Sequence, residues 1–308
     1  MRDIPVWCTV SAVRKTVAAF VLSVLVLGSV WSVDFTTVEE LRGKNGDFQG
    51  YYDALIGMLD ETADTEDEVG VLWRLSLACL LIGDTKDSRE ERREWFARGL
   101  EYAERGIAID PLCPQLYMWH SGNVGKDALT RSLSSQLSAV GKIDDDLDMI
   151  LNRLGRVDYS EAWDALAEVC YNHPFRSNTA AVNYMRVCID TIPDGELRLD
   201  AYATFAEILY KTNRNASKRR SDISKGLGTW QNPKGSFTDR YACYESALGA
   251  DYVPQWTQGQ ALSAISDRQE AVMVLNYAGS LYRNSKEHFP ADDAAMERIA
   301  GLLKEYSK

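Results

Sequence analysis

Gly99 to Pro111 reads GLEYAERGIAIDP, and its spacing decides the fold. Gly99, Ala103 and Gly106 recur at intervals of four and three, which places them on one face of a helix. Leu100, Ile107 and Ile109 add apolar bulk beside that face, while Glu101, Glu104 and Arg105 point elsewhere. Pro111 cannot continue the helix, and Asp110 before it is biased out of the α region. A helix with so narrow a seam of small residues is built to lie close against another helix.

The flanking sequence supplies partners. Upstream, Leu72, Leu75, Ser76, Cys79 and Leu80 keep helical phase and end at a Gly83-Asp84 turn. Downstream, Trp163, Leu166, Ala167, Cys170 and Tyr171 repeat that phase, and Ala181, Met185, Cys188 and Pro193 follow as a second helix. A third copy begins at Tyr202, Phe205, Ala206, Leu209 and Tyr210. Over residues 65–215 this phase resembles the tetratricopeptide repeat, whose first helix reads W-x-x-L-G-x-x-Y. The resemblance implies an all-α fold, a right-handed superhelix of antiparallel helix pairs with irregular capping helices at both ends. It also implies a concave binding surface lined by first helices, with Tyr117, Tyr202 and Tyr210 as candidates on it. Between the Gly83-Asp84 turn and Gly99 the chain carries about eleven residues more than the family's link. These are almost all charged over Lys86–Glu94, which predicts extra solvated turns on the second helix. The long insert and the Ile-Asp-Pro ending also look like repeats of the regulator-of-microtubule-dynamics type.

The rest of the chain divides around this array. Residues 1–32 resemble a signal peptide: Arg14-Lys15, an apolar run over Thr16–Leu27, then small residues to Ser32. Export with cleavage near Ser32 is expected, with an uncleaved anchor over residues 16–33 as the alternative. Residues 33–64 are expected to be N-terminal capping helices, since an array must cover its first face. Pro114 to Val140 reads as one long first helix with Ile143–Leu154 as its partner. Asp158 and Glu161 read as a capping pair. Residues 216–308 read as a helical region outside any repeat, with a long loop at 226–238, a helix from Thr238, a linker at Val253–Trp256, and helices near 259–287 and 291–306.

Charge and cysteines exclude several functions. The formal net charge is −11; loss of residues 1–32 removes three basic residues and one acid, leaving about −13. Such a chain lacks the positive field that nucleic-acid binding requires. Of the six cysteines, Cys79, Cys170 and Cys188 fall on apolar helical faces as buried hydrophobes. A Cys113–Cys243 disulfide is open on sequence grounds. His120, His173 and His288 have no second ligand at metal spacing, and no cofactor fingerprint is present. Asp144, Asp145, Asp146 and Asp148 lack the glycine and distant glutamate of a calcium loop and read as a solvated helix start.

Two further groups stand out. Lys211, Arg214, Lys218, Arg219, Arg220 and Lys225 form the one basic cluster of an acidic chain and read as a solvated second-helix face, or as a dock for an acidic segment. Trp230 and Trp256, placed in loops, are candidate anchors beside Lys218, Arg219 and Arg220 for a protein or peptide partner. The expectation is a non-catalytic interaction scaffold of the periplasm or cell envelope, with no cofactor or metal. The alternative is an accessory of a periplasmic solute transporter that binds a small apolar ligand.

Overall fold

The computed structural model describes residues 33–65 and 67–306; the expected signal segment lies outside them. Among the described residues there are fourteen α-helices. The chain opens with α1 (Thr36–Gly43) and α2 (Phe48–Thr62). Gly46 makes the break between them at φ +63°, a left-handed conformation that favours glycine. Asp47 caps α2 by accepting a hydrogen bond from the Gly50 amide.

Two long helices, α3 (Asp67–Thr85) and α4 (Arg89–Ile109), form the first hairpin. Ser88 starts α4 by accepting from the Glu91 amide at 3.1 Å, so the charged insert does extend this helix. The buried residues of α4 are Phe96 and the seam itself, Gly99, Ala103 and Gly106. A side chain on Gly99 would overlap Asn123, and one on Gly106 would overlap Leu116. Both of those belong to α5 (Pro114–Leu129), so the missing side chains set how closely α4 and α5 approach. Asn123 is fully buried and donates back to Ser76 of α3, tying the three helices together.

The expected long helix from Pro114 to Val140 is instead two. Thr130 turns the chain, its hydroxyl bonded to the Asp127 carbonyl and its carbonyl to Arg93, and α6 (Leu133–Asp148) begins after it. A π turn, Met149–Arg153, closes α6. Asp144 to Asp148 therefore lie late in a helical run that continues to Arg153, not at a helix start.

The next hairpin pairs α7 (Ser160–Asn172) with α8 (Asn178–Asp190). Tyr159, not Asp158, is the N-cap of α7, and Asp158 binds Arg156. Trp163 is completely buried, donates to the Val157 carbonyl at 2.9 Å and stacks on Tyr184. Ala167 is fully buried beside it in the same core. Cys79, Cys170 and Cys188 are buried thiols, and Cys113 and Cys243 are also free, so the 113–243 disulfide is not formed.

The third repeat departs most from expectation. Its first helix is α9 (Leu199–Thr212), but its packed partner is α13 (Asp267–Asn284), not the next helix in the chain. Asn213 ends α9 in a left-handed conformation. Arg214 and Asp267 then meet: the Asp267 amide donates to the Arg214 carbonyl at 2.9 Å, and the Arg214 amide donates to the Asp267 carboxylate at 2.8 Å. Residues 213–266 are thus an insertion extruded at the turn of a helix hairpin, with its neck sealed. It contains α10 (Ala216–Gln231), α11 (Phe237–Tyr241) and α12 (Tyr244–Leu248). The helix α10 runs through much of the expected 226–238 loop and carries Trp230. A final helix, α14 (Pro290–Tyr306), covers α9 and α13.

A network of buried charges fastens the insertion. Arg186 of α8 donates to Glu245 of α12 at 2.9 Å and to Glu270 of α13 at 2.9 and 3.0 Å. Arg214 donates to Glu245 at 2.9 Å and to Asp267 at 3.0 Å. Arg219 of α10 reaches Glu270 at 2.7 Å and also pairs with Asp267. All six side chains are buried, and three cations balance three anions. Two members of the expected solvated basic face, Arg214 and Arg219, are therefore interior. Burial works against the charge of Glu245, but Arg214, Arg186 and Arg219 outweigh it and hold its carboxyl well below the usual range. Glu270 is lowered in the same way by Arg186 and Arg219.

Candidate functional site

The helices that come first in their hairpins share a charged face. On α7, Asp164 and Glu168 stand one turn apart; on α9, Asp200 and Glu207 lie two turns apart. Arg198, just before α9, donates to Asp164 at 2.7 Å and to Ser160 at 3.2 Å, and its other acid neighbour, Asp200, is at 3.4 Å. Arg298 of α14 reaches back to Glu207 at 3.1 Å and to Thr204 at 3.2 Å. Four helices meet electrostatically at Glu168, whose carboxyl feels Lys126 of α5, Arg298 of α14, and Asp200 and Glu207 of α9.

Burial dominates the electrostatics of this face. Desolvation pushes the Asp164 carboxyl up to about 7, against the pull of Arg198. One of its oxygens is shielded from solvent and has no hydrogen-bond partner. Glu168 is open to solvent, yet protein crowds it closely enough that desolvation raises its pKa as well. The arrangement offers hydrogen-bond acceptors and charge to a partner.

The candidates read from the sequence separate into interior and surface. Trp256 is 4% exposed and donates to Glu270 at 3.0 Å, and Arg219 binds the same carboxylate. The two therefore come together inside the protein and cannot anchor a partner. Lys218 is exposed and pairs with Asp222 at 2.7 Å, while Arg220 is exposed and donates to the Ser263 carbonyl. Trp230 is half-buried, edge-on to Tyr241 at 5.2 Å with the Arg240 guanidinium over its ring. Tyr117 is buried and donates to the Pro111 carbonyl, and Tyr202 is buried against Tyr277. Tyr210 stacks flat on Tyr306 at 3.6 Å.

Sequence reasoning missed Arg186, Glu245, Asp267 and Glu270, as well as the charges on α7 and α9. In two places a signal was present. Arg186 interrupts the apolar stretch of α8, and Asp164 and Glu168 repeat at four residues on a first helix. His120 is half-buried and bonded to Asp146 at 2.6 Å. Among the described residues no group of three His, Cys, Asp or Glu stands where it could hold a metal ion.

Fold and face together define an all-α array of helix hairpins with one expanded hairpin. Residues 39–151, from α1 to the π turn, match the family of regulator of microtubule dynamics protein 1-3. No curated protein matches the chain.

Proposed function

We propose that this protein is a non-catalytic interaction scaffold that binds a protein or peptide partner along the face of α7, α9 and α14. The observation that carries the reading is Glu168 of α7, open to water with charged side chains of α5, α9 and α14 around it. A rigid helical scaffold holding such groups suits recognition of a partner's polar segment. The match of residues 39–151 to a family of regulators supports an interaction role rather than a chemical one. Export to the periplasm or cell envelope is part of the proposal and rests on the Arg14-Lys15, apolar run and small-residue order.

A photocrosslinking residue placed at Glu168 or Asp200 in the native host tests the face, with one at Glu90 of α4 as the comparison. Defined adducts from the first two positions and none from the third are expected. Equal labelling from all three positions would remove the assignment. N-terminal sequencing of native protein tests export, with a new terminus near Val33 expected and an intact Met1 against it.

A further inference from the structure

Where the insertion folds back over the repeats it walls a cleft of about 450 Å³ between α6, α7, α8 and α11. That volume lies within the range of small-ligand sites, roughly 300–1,000 Å³. Its floor is apolar: Leu147, Leu166, Cys170, Ala180 and Ala242. Asp144, Asp145, Asp148 and Asp239 stand around it, with Arg176 as the cation of the lining. Arg176 is committed to Asp144, donating through both terminal nitrogens. Asp148 pairs with Arg153 at 3.1 Å, and Asp239 accepts from the Ser236 amide as part of the α11 cap. Tyr184 donates to the Thr238 carbonyl at 3.2 Å and so joins the insertion's wall to α8.

Two kinds of surface meet here: the apolar floor, and four carboxylates set against the one guanidinium of the lining. Asp144, Asp145 and Asp148 lie late in α6, which runs on through the π turn to Arg153, and Asp239 of α11 joins them in the lining. Four carboxylates lining one cleft give it a negative field that draws a cation toward it. A ligand that complements both surfaces has an aliphatic body for the floor and a positive head for the rim.

We propose that this cleft is a binding site for an aliphatic ammonium ligand: a free polyamine or the lysine side chain of a partner. The site is distinct from the face of α7, α9 and α14. It exists because the insertion supplies Thr238, Asp239 and Ala242.

Calorimetric titration of the full chain with spermidine, and separately with the blocked tripeptide acetyl-Gly-Lys-Gly-amide, tests the proposal. Binding of either is expected, and which one binds more tightly distinguishes a free amine from a partner's lysine. The double variant Asp145→Asn, Asp239→Asn should weaken binding by about tenfold or more. Asparagine at 239 retains an oxygen to cap α11, and circular dichroism checks that the fold is kept. Ala180→Phe should abolish binding by filling the floor without changing any charge. The double variant Glu90→Gln, Glu94→Gln removes the same charge from an exposed stretch of α4 and should bind as the unaltered protein does. The proposal is overturned if neither amine binds, if Ala180→Phe binds normally, or if the α4 variant weakens binding as much as the cleft variant.

Discussion

The α3/α4 hairpin closes through the short link before Arg89, whereas α9/α13 closes across residues 213–266. At the first, fit is largely steric: Gly83 of α3 leaves room for the Phe96 ring of α4, and behind it Gly99 and Gly106 of α4 leave room for Asn123 and Leu116 of α5. At the second, fit is electrostatic: Arg186, Arg214 and Arg219 are matched by Glu245, Asp267 and Glu270 away from water. The contrast follows from chain length. A short link leaves a helix few partners, so shape with a single buried acid, Glu68 paired to Arg105, is enough to select one. A long excursion frees the chain to pair in many ways, and buried charges penalise every arrangement that leaves one of them unmatched.

Arg219→Glu should abolish the contrast most completely. Placing a fourth acid beside Glu245, Asp267 and Glu270 should cost about 3–5 kcal/mol or more, enough to lose the folded state or most of it. Arg220→Glu, one residue along but exposed, should stay within about 0.5 kcal/mol. Urea titration of the two variants decides it, and similar midpoints would mean that the network does not hold α9 to α13. Next in size, Ala167→Trp overfills the α7/α8 core and should destabilise by roughly 1–3 kcal/mol or more. A thermal melt unchanged from the parent would show that the repeat phase is misassigned.

Gly99→Ala probes the steric half. The added methyl meets Asn123, and a loss of about 1–2 kcal/mol is expected. Gly228→Ala is the matched control, because that helical glycine of α10 has open space around it. It should gain roughly 0.5–1 kcal/mol from helix propensity. Parallel denaturant melts that moved both variants the same way would contradict the seam.

A dependence on pH separates the two regions as well, with opposite signs. Glu245 and Glu270 hold protons less tightly when folded, so their contribution is complete above the ordinary carboxylate value of about 4 and is lost as pH falls. Asp164, at about 7 when folded, behaves in reverse. Between about pH 4 and 7 the unfolded chain has released that proton while the folded chain keeps it, so stability falls as pH rises and levels off above. Asp164→Asn removes this dependence. Its melting temperature relative to the parent should therefore be higher at pH 8 than at pH 5, and equal differences at the two values would contradict the burial of Asp164.

Local pattern was enough to place the helices that pack against a near neighbour. It marked the Gly99–Pro111 seam, the charged extension of α4, the buried Trp163 and Ala167, and the phase of α9. Periodicity reports which face of a helix is apolar, and the link length then leaves one neighbour to cover it. The same logic failed after Asn213. A basic run such as Lys211–Lys225 reads as solvated because lone cations avoid the interior, and the acids that neutralise Arg214 and Arg219 lie tens of residues away in sequence. Trp256 looked like a loop aromatic for the same reason, since Glu270 and Phe205 reach it only in the folded chain. The face around Glu168 was equally hidden, because it is assembled from α5, α7, α9 and α14. These features arose only when the chain folded: burial and charge compensation depend on distances between segments, and no spacing along the chain encodes them.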